Sequence, residues 1–166
     1  MDDTVVGGKR SGKRGRGADG KRPVLVAVET RKKGAGFLAM QAVDSVCTDT
    51  VGNFLARHLR TGQTVKTDAL PALNIVAKQH KHQKKITPPE EAHVWLPLVH
   101  IMIGNMKKFI NGTFHGVSSR YLQEYLDEFC YRFNRRFWEP ELPLRLLNAC
   151  LAHTPSLSGA YANQDC

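Results

Sequence analysis

Short apolar runs alternate with polar or glycine-containing turns in the first quarter of the chain, a pattern typical of β-strands. The runs cover residues 4–6, 23–28 and 36–43, and a basic turn at residues 31–34 separates the second run from the third. Because consecutive strands usually pair or lie side by side, three strands in meander order are the simplest prediction from these runs.

The next segment predicts helix and strand in alternation. Thr48 or Asp49 is a suitable helix cap, and Asp68 ends a short polar strand. The basic tract at residues 78–86 is followed by Pro88-Pro89, which breaks the pattern. The predicted elements are a helix at residues 48–59, a strand at residues 64–67, a short helix at residues 71–78 and an edge strand at residues 78–86.

Helical spacing dominates the last third of the chain. An apolar stripe recurs at intervals of three or four residues, at Leu96, Val99, Ile103, Met106 and Ile110. A second helix is predicted to begin at the Ser118-Ser119 cap, and a third to cover residues 142–151. Strands followed by helices in this order predict a mixed α/β layered domain.

Charge indicates the kind of partner. The chain has 24 Lys and Arg against 15 Asp and Glu, a net charge of +9 and a pI near 9.6, which favours a polyanion such as nucleic acid. The glycine- and arginine-rich segment 9–22 can bury almost nothing, so we expect a mobile loop. No apolar stretch approaches the ~18 residues of a membrane span, so no membrane partner is expected.

Two carboxylates are candidates for metal chemistry. Asp2 opens the first predicted strand and Asp68 ends the fourth, and first and fourth strands of a mixed sheet can lie side by side. A shared divalent cation would relieve their repulsion and suits phosphoryl transfer. Composition and spacing alone favour the plainer interpretation, in which Asp68 caps a helix and Asp2 is a frayed terminal acid.

The helix from Leu96 has a second face. His93, His100, Gly104, Lys107 and Asn111 follow one another there, so His100 and Lys107 lie two turns apart on one side. This face indicates either a site open to DNA or a solvated polar surface with a chance histidine. The residue pattern leaves both interpretations open.

Several blocks identify a family. They are residues 2–10 (DDTVVGGKR), 65–68 (VKTD), 111–117 (NGTFHGV), 121–129 (YLQEYLDEF) and 131–136 (YRFNRR). Together they resemble one group of bacterial insertion-sequence DDE-type transposases over roughly residues 2–152. In that group a zinc ribbon precedes the catalytic domain, so we expect the C-terminal catalytic portion, shortened at its N-terminus.

The resemblance implies an RNase H-like α/β fold, with a mixed sheet flanked by helices and extra C-terminal helices. It implies a catalytic domain at residues 1–153, including the mobile basic loop, and a loose tail at residues 154–166. The family's two metal-binding aspartates fall on Asp2 and Asp68, with Mg²⁺ or Mn²⁺ as cofactor. Its third acidic position falls on His100, and its basic residue one heptad later on Lys107.

The implied activity is DNA strand cleavage at the transposon ends, followed by transfer of the freed 3′-hydroxyl to target DNA. We expect a homo-oligomer on DNA in the bacterial cytoplasm, associated with the nucleoid. Basic residues outside the catalytic set are expected to hold the DNA backbone rather than to specify bases. These DNA-binding candidates are Lys9, Arg10, Lys13, Arg14, Arg16, Lys84, Lys85, Lys108, Arg135 and Arg136.

Three alternatives stay open. The first is a catalytically inactive DNA-binding remnant, because Met1 directly precedes Asp2 and imidazole, a poor ligand for Mg²⁺, stands at position 100. The second supplies the missing carboxylate from Glu90 or Glu91. The third treats the basic loop as an RNA-binding arm on an unrelated domain, which leaves the block at residues 121–136 unexplained.

Overall fold

Three strands form the antiparallel meander that the apolar runs predict. In the computed structural model, which describes residues 1–7, 21–86, 88, 91–114 and 117–152, β1 (Asp2–Val6), β2 (Arg22–Arg31) and β3 (Gly34–Ala42) pair in that order. Asp2 lies opposite Val26 in the register of β1 and β2. The predicted tail at residues 154–166, and residues 9–20 of the predicted loop, lie outside the described residues.

A second, parallel pair of strands completes the β-structure. β4 (Thr64–Thr67) pairs with β5 (Lys81–Lys84), which confirms the predicted edge strand in shortened form. The 3-10 helix Pro71–Lys78 connects them. The backbone nitrogen of Met1 donates a hydrogen bond of 2.7 Å to the carbonyl oxygen of Lys66, so the start of β1 lies beside β4.

Helices cover both faces of the antiparallel sheet. Val24 and Val26 of β2 pack on one side against α3 (Pro97–Thr113) and α4 (Leu122–Asn134), and the predicted stripe of α3 is buried there. Leu25 points the other way and packs against Phe54 and the 3-10 helix. Three consecutive fully buried residues are possible only because neighbouring side chains of a strand face opposite layers, and both layers are filled.

Two further helices belong to this part of the chain. α1 (Thr48–His58) lies with the 3-10 helix, and α2 (Ala92–Trp95) directly precedes α3. The mixed α/β layered architecture agrees with the RNase H-like fold expected from the sequence.

Two predicted helix starts were wrong by a few residues. The N-cap of α1 is Cys47, whose backbone nitrogen donates to the Thr50 hydroxyl at 3.0 Å, instead of Thr48 or Asp49. The Ser118-Ser119 pair lies in a turn before α4, where the nitrogen of Tyr121 donates to the Ser118 carbonyl oxygen at 3.2 Å. At α1 the helix begins slightly earlier than predicted and includes Thr48 and Asp49, whereas before α4 a local turn takes up the two serines.

Two side-chain amides of α4 bind the outer edge of β3. Asn134 accepts a hydrogen bond from the nitrogen of Leu38 at 2.7 Å and donates to its carbonyl oxygen at 2.9 Å. Gln123 accepts from the nitrogen of Ala42 at 2.8 Å and donates to the carbonyl oxygen of Met40 at 3.3 Å. These amides take the place of a further strand, so α4 covers an edge that would otherwise be open to pairing.

The chain divides by its contacts into two compact units, Met1–Asn134 and the residues from Arg135 onward. In the described part of the second unit, α5 (Leu142–Ala152) confirms the predicted third helix. Arg145 on its first turn forms an ion pair of 2.8 Å with Glu141.

Candidate catalytic site

Asp2 is held in a mostly buried position at the start of β1. It is 9% exposed, and its carboxylate oxygen Oδ1 accepts a hydrogen bond of 2.8 Å from the nitrogen of Asp3. Pairing with Val26 on one side, and the contact of Met1 with Lys66 on the other, fix this end of the strand. The carboxylate is therefore placed by the sheet itself.

Asp68 follows the last residue of β4. Its Oδ1 accepts a hydrogen bond of 3.3 Å from the nitrogen of Leu70, an Asx-type turn that leads into the 3-10 helix. Thr67 just before it is fully buried, and its hydroxyl lies 2.8 Å from Nε2 of His82 on β5. The strand end that carries Asp68 is thus anchored by its neighbours. Asp68 is not the cap of the 3-10 helix, because the N-cap is Leu70 and no side chain bonds there as a cap.

The structure brings Asp2 and Asp68 together with Asp3. One carboxylate oxygen from each of the three lies within 4.8 Å of the others. Asp3 is not among the site residues predicted from the sequence, because adjacent residues of a strand ordinarily face opposite sides. The signal for it was its position next to Asp2. We call these three side chains the carboxylate cluster.

The oxygens of the carboxylate cluster suit a hard divalent cation such as Mg²⁺ or Mn²⁺. Burial raises the pKa of Asp2, and the negative charges of Asp68 and Asp3 raise it further. The hydrogen bond from the Asp3 nitrogen and the nearby His100 act in the opposite direction. Without a cation these carboxylates repel one another, so a bound cation would relieve an existing cost.

His100 approaches the same cluster from α3. Its Nε2 lies 3.8 Å from Oδ2 of Asp2, and its side chain is 34% exposed. This places an imidazole where the family's third acidic residue is expected. Glu90 lies outside the described residues, and Glu91 is exposed and not part of the carboxylate cluster.

Lys107 lies two helical turns beyond His100, about 10 Å further along the axis of α3. It is half-buried, and its pKa is lowered, first by burial and then by the charge of Lys21. Lys21 precedes β2 at the end of the sheet opposite Asp2. The structure therefore puts Lys107 along β1 and does not bring it into the carboxylate cluster.

The predicted DNA-binding residues are spread over several elements. Lys84 donates to the side chain of Asn74 at 3.1 Å, and the ammonium group of Lys85 lies 6.0 Å from the ring centre of Trp95. Lys108 is exposed on α3, while Arg135 and Arg136 belong to the second unit. The candidates in the basic loop lie outside the described residues; they are Lys9, Arg10, Lys13, Arg14 and Arg16.

Comparison with known proteins identifies the domain. The profile of the ISXO2-like transposase domain matches residues 1–134. Curated protein sequences give no significant match. Among the described residues, no helix has both the length and the apolar character needed to cross a membrane.

The matched segment takes in most of the 166 residues, including the carboxylate cluster, His100 and Lys107, and it ends where the first compact unit ends. A role in DNA transposition follows from such a domain. The chain therefore belongs to the ISXO2-like family of insertion-sequence DDE transposase domains.

Proposed function

We propose that this domain cleaves DNA strands at the ends of an insertion sequence and joins them to target DNA in a reaction that requires a divalent cation. The observation that carries the proposal is the carboxylate cluster, whose three oxygens lie within 4.8 Å at the ends of two strands. Family membership supplies the context of transposition.

Asp2 and Asp68 are the proposed metal ligands, with Asp3 as a third carboxylate beside them. Mg²⁺ is the proposed ion, with Mn²⁺ as its substitute. A divalent cation at such a site neutralises charge on the reacting phosphate and makes an attacking water or hydroxyl group more acidic. The sheet holds Asp2 and the turn at Leu70 holds Asp68, so the chain keeps both ligands in place before DNA binds.

His100 has a proposed role of its own. Its imidazole stands 3.8 Å from Asp2 and retains access to solvent, so it can donate a hydrogen bond to a phosphate oxygen next to the carboxylates. Imidazole is a poor ligand for Mg²⁺. We therefore assign His100 to phosphate contact, a role that an imidazole can fill beside a magnesium site.

The basic side chains are proposed to hold the DNA. Lys107 would bind a phosphate further along α3, with Lys108 exposed beside it. The basic loop, Lys84 and Lys85 on the β5 side, and Arg135 and Arg136 in the second unit would add backbone contacts that carry no sequence information. Cleavage and joining at two transposon ends also favour a homo-oligomer assembled on DNA, close to the nucleoid.

Plasmid cleavage tests the proposal. Purified protein is incubated with supercoiled plasmid and Mg²⁺ or Mn²⁺, and nicked and joined products are separated on gels. The parent should nick only with a divalent cation, and Asp68→Ala should be slower by at least about 100-fold. Asp49→Ala, which removes an exposed carboxylate from α1, is the matched control and should equal the parent.

Equal nicking by the parent and Asp68→Ala would overturn catalysis by this cluster, provided circular dichroism shows both to be folded. No nicking by the folded parent would do so as well. Family membership would survive that result, which would support the alternative of an inactive DNA-binding remnant.

A further inference from the structure

Two lysines gather around one tryptophan beside the carboxylate cluster. The ammonium nitrogen of Lys66 on β4 lies 5.1 Å from the ring centre of Trp95, and that of Lys85, just after β5, lies 6.0 Å from it. Both lysines are exposed, whereas Trp95 is half-buried. The face of an aromatic ring attracts a cation, so it favours conformations that keep both charges in one place.

Trp95 is in turn fixed to the strand end that carries Asp68. Its indole nitrogen Nε1 donates a hydrogen bond of 2.9 Å to the carbonyl oxygen of Thr67, the residue directly before Asp68. Thr67 is fully buried and bonded to His82, so the anchor does not move independently of β4 and β5. The ring therefore keeps its position relative to the strand end that carries Asp68, and its face favours conformations that hold the two lysines nearby.

Charge explains what this arrangement is suited to bind. The carboxylates of Asp2, Asp3 and Asp68 repel a phosphodiester that approaches them. The two lysines lie at a ring that is bonded to the residue before Asp68, so their positive charges would offset part of that repulsion. An ammonium group on an aromatic face still has N–H donors for phosphate oxygens. A side chain that is already partly ordered also loses less conformational entropy when it binds.

We propose that the Lys66–Trp95–Lys85 ridge binds the phosphodiester backbone of the DNA strand that reaches the carboxylate cluster. The contact is one of position and is independent of base sequence. Lys66 and Trp95 are residues that neither the basic tracts nor the family motif had assigned to DNA. The inference rests on the proposed function for its choice of DNA, and it adds the surface across which the strand passes.

The test measures DNA binding without catalysis. Fluorescence anisotropy of a labelled duplex is followed in EDTA over a series of salt concentrations. Lys66→Gln/Lys85→Gln should bind about tenfold more weakly than the parent, with a salt dependence smaller by about two ion equivalents. Lys32→Gln/Lys33→Gln, in the exposed turn between β2 and β3, removes the same charge and should lose less than about twofold.

Trp95 is tested separately. Trp95→Leu removes the ring and should weaken binding by about two- to fivefold, while Trp95→Phe keeps an aromatic face and should lose less. Thermal unfolding confirms that each variant is folded. If Trp95→Leu binds like the parent, the aromatic ring is not part of the ridge.

Equal losses in the two lysine pairs would show a general charge effect, and no loss in Lys66→Gln/Lys85→Gln would remove the ridge; either result overturns the proposal. Tighter binding of an RNA of the same sequence, lost in the same variant, would assign the ridge to RNA and overturn it for DNA. Plasmid nicking by the parent separates the two proposals. A ridge effect without nicking would sink the proposed cleavage alone, and nicking without a ridge effect would sink the ridge alone.

Discussion

The outer edge of β3 and the carboxylate cluster both gather polar groups against the apolar core, but they do so with opposite electrostatics. At β3, the amides of Gln123 and Asn134 accept from two backbone nitrogens and donate to two backbone carbonyl oxygens. At the cluster, three acidic groups crowd together and the pKa of Asp2 is raised. The paired neutral groups at β3 stabilise the fold. The crowded like charges at the cluster destabilise the fold when no cation is bound, and they favour binding of a cation.

Replacing Asp2 should separate metal binding from folding. Asp2→Asn keeps a side-chain oxygen for the Asp3 nitrogen but removes a charge from the cluster. In the parent, Mn²⁺ at 100 times its dissociation constant should stabilise the fold by about 2.7 kcal/mol, or about 5–10 °C in melting temperature. The variant should lose most of that shift in differential scanning fluorimetry. Asp49→Asn serves as control, and a full shift in Asp2→Asn would contradict the assignment of the ligand.

Truncating Asn134 should give the reverse result. Asn134→Ala leaves the nitrogen and the carbonyl oxygen of Leu38 without their amide partners. We expect a loss of about 2 kcal/mol in the free energy of unfolding by urea, with the Mn²⁺ shift retained. Asn53→Ala, at an exposed position of α1, should change stability by less than about 0.5 kcal/mol. If Asn134→Ala is as stable as the parent, the amides do not hold the edge.

The pH dependence of stability without metal should reveal the charge of Asp2. Its pKa is raised above 3.8 in the folded protein, so the folded state holds this proton to higher pH than the unfolded state does. The stability of the parent in EDTA should therefore fall, relative to Asp2→Asn, as pH rises through 3.8 toward the raised pKa. Above that window the difference should stay constant. Urea unfolding of both proteins across this pH range measures the difference in their free energies of unfolding. If the parent instead gains stability relative to the variant as pH rises, burial and neighbouring negative charge do not raise the pKa of Asp2.

Periodicity predicted the parts of the fold that follow from local pattern. The apolar stripe of α3 is buried as expected, and the three apolar runs form β1, β2 and β3. The hydrogen bonds from α4 to β3 join residues far apart in sequence, such as Asn134 and Leu38, and no local signal indicates them. Such contacts depend on the register and packing of distant elements, which the local pattern of a single sequence does not indicate.

The candidate site was predicted less from spacing than from resemblance. Spacing alone favoured capping and terminal roles for Asp68 and Asp2, whereas the family blocks assigned both to metal and placed His100 beside them. The structure brings these three residues together and adds Asp3. It places Lys107 further along α3, because two helical turns carry that residue along β1 and away from Asp2.

A crystal of the protein soaked with Mn²⁺ tests the central claim most directly. An anomalous difference map recorded at the manganese edge should show a peak within about 2.3 Å of carboxylate oxygens of both Asp2 and Asp68. The peak should vanish in Asp68→Ala and persist in Asn134→Ala. A manganese peak bound elsewhere, or an empty cluster in crystals of the parent, would contradict the account.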